Sequence, residues 1–423
     1  MVSGGVSGSV SGGLNRGVTS DDAGERRRVV VTGVGAVSAA GLTTADYWSA
    51  LSEGRVCTSP LTAFEAPRAV AAGQVDESWR GPSGAPNWLL ERMDRASQLA
   101  LDAAIQAQTD ARIEFNQQNA FVVGAVTGIA HPSIGDGWAA LGSGLSGASL
   151  GLNIAGPVFT VSMGGASGLA SVVLATQLIR AGVVRAALAI GAEAPLREDV
   201  WQSYESSGLL DQTDDPNAQR PFDANRQGMI LGEGAGALML EDRQLAAQRG
   251  VHVYAEIGGE AMTSGPMGDG QAPTDVEVAR RATGDAMLGG EISPSDIDVV
   301  VAAGVGSKLG DERETDIIER AFGRRTLDMY AATVSPNVGY TAGASGALSA
   351  VAAAMIVDQR QVPPHATFQE QDIACKLGFV PKLYEDRIVG AATAAYGAHG
   401  QNAALVLMPH VPEAGDELPV MVN

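Results

Sequence analysis

The chain has 423 residues, more than one ordinary hydrophobic core accommodates, so its length predicts two domains or two fused halves. Hydrophobic residues make up 45% and charged residues 18%, a balance that excludes an intrinsically disordered protein. The formal net charge of −20 excludes a basic surface for nucleic acid or an anionic membrane.

The N-terminal residues 1–25 are Gly/Ser/Val repeats without the apolar core of a signal peptide, and they are predicted to form a flexible tail. The most apolar stretch, Ala342 to Val357, is interrupted by Gly and Ser and is short for a membrane span, which favours a buried helix.

Short apolar runs alternate with helical patterns along the rest of the chain. A buried strand typically forms such a run, and alternation with helices predicts an α/β fold. The predicted strands are Val29–Gly33, Ala120–Gly124, Phe159–Ser162, Ala186–Gly191, Gly236–Leu240, Ile297–Ala302, Arg387–Ala392 and Ala403–Met408. The predicted helices are Ala96–Ala107, Gly168–Ala181, Val276–Met287 and Ala344–Val357.

The two parts of the chain resemble each other locally. The run Gly234–Glu241 is similar to Gln401–Met408, and each follows a Gly-rich turn. This similarity favours a duplicated α/β unit. We expect one half over residues 26–250 and the other over 251–423, with the boundary near Gly250.

The first glycine motif, Gly33-Val34-Gly35, follows a predicted strand, so a nucleotide-binding oxidoreductase is one alternative function. The dinucleotide fingerprint requires a third glycine where Ser38 stands, and a tight turn is the competing interpretation. The later run Gly232–Gly236 leads into a strand rather than a helix, which indicates a structural role.

Two cysteines, Cys57 and Cys375, form no C-x-x-C motif. We therefore expect no disulfide framework, no thiolate zinc site and a reducing cytosolic location. The acidic stretch Asp211–Asp215 has no His or Cys beside it and is interpreted as a solvated loop. The sequence thus predicts neither a metal nor a cofactor.

The segment Ala155–Leu169 has the pattern of a strand, a tight turn and a helix. A nucleophile elbow has this arrangement, because the helix N-terminus lowers a thiol pKa and supplies amide donors. The tip of the turn here is Gly164-Gly165, so the thiol is absent.

This segment resembles the active-site elbow of β-ketoacyl-acyl-carrier-protein synthases. The run Arg220–Glu241 resembles the Pro-Phe-Asp and Gly-Glu-Gly-Ala-Gly signature of the same family, and Tyr396–Asn402 resembles its C-terminal glycine-rich loop. Val29–Gly41 resembles its first strand and loop. The resemblance spans Arg26 to about Pro409 and implies a thiolase-like fold, in which two duplicated halves form a layered αβαβα architecture.

The family's chemistry uses a Cys, two His and a Lys. The resemblance places Gly165 at the Cys, Ala303 at the first His, Ser335 at the Lys and Tyr340 at the second His. Losing nucleophile, base and oxyanion donor together leaves no group to supply the rate. The resemblance therefore implies a non-catalytic chain-length factor, paired in a heterodimer with an active ketosynthase α subunit.

Such a subunit shapes the tunnel that holds the growing polyketide chain. The resemblance places Ile134, Gly137, Trp138 and Leu141 at the tunnel end, where helical spacing would set Ile134, Trp138 and Leu141 on one face; ordinary core packing is the alternative. Aromatic chain-length factors commonly have Gln at the position of Gly165, which favours a reducing polyene pathway here. Because carrier proteins are acidic, we expect them to dock mainly on the α subunit.

A divergent active acyltransferase is the other alternative. It would use Ser162 or Ser167 as nucleophile, with His399 or His131 as the nearby base. A serine nucleophile needs such an adjacent base, which separates this alternative from the non-catalytic one.

Overall fold

The computed structural model describes residues 27–68, 70–116, 119–131, 151–266 and 272–412, so the predicted tail lies outside the described residues. Its strands are β1 (Val29–Ser38), β2 (Ser59–Pro60), β3 (Ala71–Ala72), β4 (Val123–Gly128), β5 (Val158–Val161), β6 (Ala186–Glu193), β7 (Gly234–Asp242), β8 (Ala255–Ser264), β9 (Val299–Ala302), β10 (Tyr330–Thr333), β11 (Gln361–Val362), β12 (Tyr384–Glu385), β13 (Ala391–Tyr396) and β14 (Gln401–Met408). Its helices are α1 (Thr44–Glu53), α2 (Asn87–Leu90), α3 (Arg95–Asp110), α4 (Ser167–Arg180), α5 (Glu198–Ser206), α6 (Arg243–Arg249), α7 (Val276–Gly289), α8 (Lys308–Phe322), α9 (Ser335–Val338) and α10 (Ser345–Gln359).

The sheet of the described residues consists of two units with the same topology. The strand order is β5-β4-β6-β7-β1 in the first unit and β10-β9-β13-β14-β8 in the second. Each unit has three neighbouring parallel strands followed by two antiparallel ones, and β1 pairs with β8 to join them. The predicted duplication of the fold is confirmed, and β7 and β14, which carry the similar sequences, hold equivalent places.

The helices complete five layers. Helices α4 and α10 pack against each other and against both halves of the sheet. Helix α3 covers the outer face of the first unit, and α7 with α8 covers that of the second. The αβαβα architecture is therefore confirmed. Gly250 lies between α6 and β8, and its use as a domain boundary stays a prediction.

The middle layer explains both the apolar stretch near residue 350 and part of the glycine content. Ala342–Gln359 is long and apolar enough to span a membrane, but it is 83% buried between the two halves of the sheet, as a core helix is. A β-carbon on Gly168 of α4 would lie 2.6 Å from the Gly343 carbonyl oxygen, and one on Gly191 of β6 would lie 2.7 Å from the Gly168 Cα. Glycine lets these backbones touch.

The interpretation of Gly33-Val34-Gly35 as a turn was wrong. Both glycines lie inside β1, which continues to Ser38. A β-carbon on Gly33 would lie 2.1 Å from the Ala107 carbonyl oxygen of α3, and one on Gly35 would lie 2.0 Å from that of Ala103. The glycines allow helix and strand to pack closely, and they lie within the strand rather than in the connection before α1, where a pyrophosphate would bind the helix N-terminus.

Two predicted strand boundaries were also wrong. Ala120–Val122 is a 3₁₀ turn, and the strand begins at Val123. Residues 387–390 form the connection before β13, where the Val389 amide donates to Asp298 at 2.5 Å. Alanine-rich β13 carries little strand signal of its own, so its position depends on pairing with β9 and β14.

Candidate functional site at the strand–helix elbow

The elbow between β5 and α4 is held by Ser167. The Ser167 hydroxyl donates to the Gly164 carbonyl oxygen at 2.6 Å and accepts from the Met163 amide at 2.8 Å. Gly164 has a φ of +56°, in the left-handed region that favours glycine. The Ser167 side chain is fully buried and its hydroxyl stabilises the turn, which argues against Ser167 as a nucleophile.

The position of Gly165 is filled by a tyrosine. A β-carbon built on Gly165 would lie 2.4 Å from the Tyr340 hydroxyl oxygen and 2.6 Å from the Tyr396 carbonyl oxygen. Real β-carbon contacts essentially never fall below 3.0 Å. Gly165 is therefore required by its surroundings, because the Tyr340 side chain occupies the space that a side chain at residue 165 would need.

The other two changed positions carry no ionisable side chain. The Ser335 hydroxyl donates to the Gly304 carbonyl oxygen and accepts from the Gln219 side-chain amide at 3.1 Å. Ala303 contributes only its backbone amide, which donates to Glu314 at 2.7 Å. Neither position offers a base or a cation.

A cavity of about 290 Å³ opens beside Gly165. Tyr340 lines it, whereas Ala303 and Ser335 are not among the residues that line it. The alternative nucleophile Ser162 and the alternative bases His131 and His399 line it too, with Ser162 and His399 exposed to solvent. The other lining residues are Ala130, Gly164, Tyr204, Leu209, Met229, Ala272, Val305, Ser307, Ala398 and Gln401.

An aromatic and acidic cluster that sequence reasoning missed lies on one side of the cavity. The Tyr204 ring contacts the Tyr340 ring at 6.5 Å between centroids and the His131 ring at 5.5 Å. His131 Nδ1 lies 3.5 Å from Oε2 of the buried Glu193. Burial raises the pKa of Tyr340 to about 12, and the negative charge of Glu193 adds to the rise.

A second missed feature is a buried carboxyl, Glu314, on α8. It accepts the backbone amides of Ala303 and Gly304 at 2.7 and 2.9 Å. Burial raises the pKa of Glu314 to about 8, and the nearby Asp311 adds to the rise. Burial likewise raises the pKa of Asp311 to about 7, against the opposing effect of Arg226 and of the backbone amides that donate to it.

We expect this carboxyl to make the fold less stable as the pH rises from about 5 to about 8. The unfolded chain releases the Glu314 proton near its ordinary pKa, whereas the folded chain keeps it, so deprotonation at higher pH costs stability. Urea unfolding across this range measures the slope, to which the single proton of Glu314 contributes at most about 1.4 kcal/mol per pH unit.

The variant Glu314→Gln distinguishes the contribution of Glu314 to this pH dependence from that of the other carboxylates. It is expected to have a shallower slope between pH 5 and 8, and lower stability at the acidic end because one backbone amide loses its acceptor. Glu319→Gln, at an exposed position of the same helix, is the matched control. A slope unchanged by Glu314→Gln would contradict the assignment.

Among the described residues, no group of three or more His, Cys, Asp or Glu side chains is placed to hold a metal ion. The acidic residues of Asp211–Asp215 form local contacts instead. Asp211 accepts a hydrogen bond from the Thr213 amide at 2.8 Å, and Asp215 pairs with Arg220 at 2.9 Å.

Comparison with known proteins agrees with the fold, which is that of a thiolase-like ketosynthase. Residues 26–246 match the family model of the β-ketoacyl synthase N-terminal domain, and residues 254–369 match that of the C-terminal domain. The chain belongs to the β-ketoacyl synthase family.

The chain is similar to several curated proteins. It is 30% identical to the tetracenomycin polyketide synthase ketoacyl synthase alpha subunit of Streptomyces glaucescens, over 90% of this chain and 97% of that one. It is 31% identical to nodulation protein E of Rhizobium leguminosarum bv. trifolii and 30% identical to 3-oxoacyl-[acyl-carrier-protein] synthase 2 of Synechocystis, in each case over 90% of this chain and 98% of the other.

Two solved structures are similar to it as well. The ishigamide ketosynthase/chain length factor is 27% identical with a TM-score of 0.82, over 92% of this chain and 100% of that one. A complex of a type II polyketide synthase acyl-carrier protein with its hexaketide-bound ketosynthase is 25% identical with a TM-score of 0.80, over the same shares.

Proposed function

We propose that this chain is a non-catalytic chain-length factor, which pairs with an active ketosynthase α subunit in polyketide biosynthesis in the cytosol. The α subunit carries out the condensation. This chain completes the heterodimer and part of the tunnel that holds the growing acyl chain.

One observation carries the proposal: the nucleophile position is closed. The Tyr340 hydroxyl fills the space of a side chain at Gly165. Ala303 and Ser335 supply no base or cation in its place. A changed cysteine alone is compatible with a modified enzyme, but a tyrosine packed into its space favours a fold kept for another purpose.

The open edge of the sheet at β5 is evidence for a partner subunit. The equivalent edge strand of the second unit, β10, is covered, since the Ala331 amide donates to the Gly378 carbonyl oxygen at 3.0 Å. In the described part of the chain, β5 pairs only with β4, and its Phe159 is 47% exposed. An open strand edge with an exposed aromatic side chain favours association with another chain.

The alternative of a divergent acyltransferase rests on Ser162 with His131 or His399. All three line the cavity, Ser162 and His399 are exposed to solvent, and Ser167 is committed to the turn. The alternative of a nucleotide-binding oxidoreductase depended on a glycine-rich turn at Gly33 and Gly35. It loses this basis because both glycines lie inside β1.

The role in chain length rests on residues outside the described part. Ile134, Gly137, Trp138 and Leu141 all lie there, so their place at the tunnel end stays a proposal.

Trp138→Ala is expected to lengthen the product of the heterodimer and a bulky residue at Gly137 to shorten it, because the volume at a tunnel end limits the chain. Mass spectrometry of the products measures both, and an unchanged distribution from an intact heterodimer would assign these residues to the core.

Condensation by purified proteins tests the proposed function. The α partner is to be taken from the same genome by its intact Cys, two His and Lys. Acyl- and malonyl-carrier proteins are then incubated with this chain, with the partner and with both. We expect ketoacyl product only where the partner is present, and a 1:1 complex in gel filtration. Product from this chain alone would contradict the proposal.

A further inference from the structure

A groove along α3 shares none of its lining residues with the cavity beside Gly165. It has a volume of about 740 Å³ and lies between α3 and the start of α1. One side of α3 packs on β1, β6 and β7. Another side lines the groove, and its residues are spaced three or four apart, which places them on one face of the helix. They are Asp102, Ile105, Gln106, Thr109 and Asp110.

The walls of the groove are mainly apolar. Leu42, Ile105 and Met355 contribute aliphatic side chains, and Trp79 and Tyr254 contribute aromatic ones. Sites for small molecules typically have such walls, with a few polar groups that orient the ligand. The polar groups of this groove therefore indicate the chemistry of its ligand.

The charged groups of the groove are two carboxylates, Asp102 and Asp110, and no Lys, Arg or His side chain lines it. Asp102 accepts from the Trp79 indole nitrogen at 2.7 Å and from the Gln106 side-chain amide at 3.2 Å. Asp110 accepts from the Val34 amide at 2.9 Å. Because these donors are neutral, they position the carboxylates without cancelling their charge. The groove therefore attracts a cation.

The cation beside the Asp102 end of the groove is already paired. The Arg95 guanidinium lies over the Trp79 ring, 5.1 Å from its centroid, and forms a salt bridge with Glu233 at 2.6 Å. Arg95 thus compensates the charge of Glu233, and the charge of Asp102 is left for a ligand.

The spacing of the two carboxylates sets the length of the ligand. Eight residues separate Asp102 from Asp110 on α3, which corresponds to about 12 Å along the helix axis. A ligand with one cationic group and an apolar body would cover one carboxylate without pairing it, and burying an unpaired charge is unfavourable. Two cationic groups at this spacing, joined by an apolar chain over Ile105, would pair both.

We propose that this groove binds a linear aliphatic diamine, with one ammonium group at Asp102, the other at Asp110 and the methylene chain against Ile105. The volume of about 740 Å³ is within the range of small-molecule sites. The site is one of binding, with no bond made or broken. This inference goes beyond the proposed function and does not depend on it.

Calorimetric titration of the full chain at low ionic strength tests the proposal. The ligand is octamethylenediamine, whose nitrogen atoms are about 11 Å apart in the extended chain. The matched ligands are putrescine, which is too short to reach both carboxylates, and octylamine, which has one ammonium group. We expect each of them to bind at least about fivefold more weakly, the value of one charge pair at a protein surface.

Two substitutions in the groove test the contacts themselves. Asp102→Asn and Asp110→Asn are each expected to weaken binding of octamethylenediamine about fivefold and to remove its advantage over octylamine. Asparagine keeps an acceptor oxygen for the Trp79 and Val34 N–H groups, so both variants should fold, which circular dichroism checks. Asp285→Asn, at an exposed position of α7, removes the same charge and should bind as the wild type does.

Any one of three results would overturn the proposal. These are no binding of octamethylenediamine up to about 10 mM, equal binding of octamethylenediamine and octylamine, and binding that neither groove substitution changes. Equal binding would mean that the groove selects for an apolar chain and not for two charges. The test involves neither the elbow nor the α partner, so its outcome and that of the proposed function are separate.

Discussion

Gly165→Cys will not restore condensation to this chain, and it will make the fold less stable. The new β-carbon would lie 2.4 Å from the Tyr340 hydroxyl oxygen and 2.6 Å from the Tyr396 carbonyl oxygen, so the backbone or the tyrosine must move. Overpacking of this kind costs about 1–3 kcal/mol. The thiol would also lack the family's first His and Lys, because the resemblance places Ala303 and Ser335 at those positions.

Urea unfolding and a ketoacyl-product assay measure the two effects. Gly284→Cys is the matched control: its new side chain would meet only the Arg280 guanidinium at 3.7 Å, so little change is expected. Adding Tyr340→Phe to Gly165→Cys should recover part of the lost stability, because it removes the closer of the two contacts. A Gly165→Cys protein that is as stable as the wild type, or that forms product, would contradict the account.

As proposed above, this chain pairs with an α partner, and Phe159→Asp is expected to separate the two and remove the activity of the pair. Phe159 lies on β5, the open edge of the sheet, where it is 47% exposed. An obligate interface buries at least about 2,000 Å² and is largely apolar. A charge at a central aromatic position of such an interface weakens binding by about 2 kcal/mol or more, or roughly 30-fold.

Gel filtration and analytical ultracentrifugation of the mixed subunits measure this loss. Leu327→Asp is the matched control, since Leu327 is 87% exposed beside the opposite edge strand and should leave the heterodimer unchanged. A Phe159→Asp chain that still forms a 1:1 complex of wild-type affinity would move the interface away from β5.

The sequence predicted those features whose signals are local. The buried runs of β1, β6 and β7 are continuous stretches of apolar residues, and the elbow is marked by two glycines between a strand and a helix. The duplicated fold followed from the similarity of β7 and β14. Each strand run is a short local pattern, and the duplication is a comparison of two such runs.

The features that the sequence did not predict depend on contacts between distant segments. Nothing near Gly165 in sequence indicates that Tyr340 fills the space beside it. Nor does it indicate that Tyr204 of α5 lines the cavity, or that Glu193 at the end of β6 lies 3.5 Å from His131. Glu314 has an ordinary helical context, and its raised pKa comes from burial under the loop at Ala303. Such effects arise from tertiary packing, which local sequence patterns do not predict.

Acyl transfer to the separated subunits tests the central claim most directly. The complex with the α partner is incubated with a radiolabelled acyl-carrier protein, denatured, and resolved into its two chains. The account predicts label on the partner's cysteine and none on this chain, whose Gly165 offers no nucleophile and whose Ser167 hydroxyl is held in the turn. Stoichiometric label on this chain, lost on Ser162→Ala, would contradict it and establish an active acyltransferase.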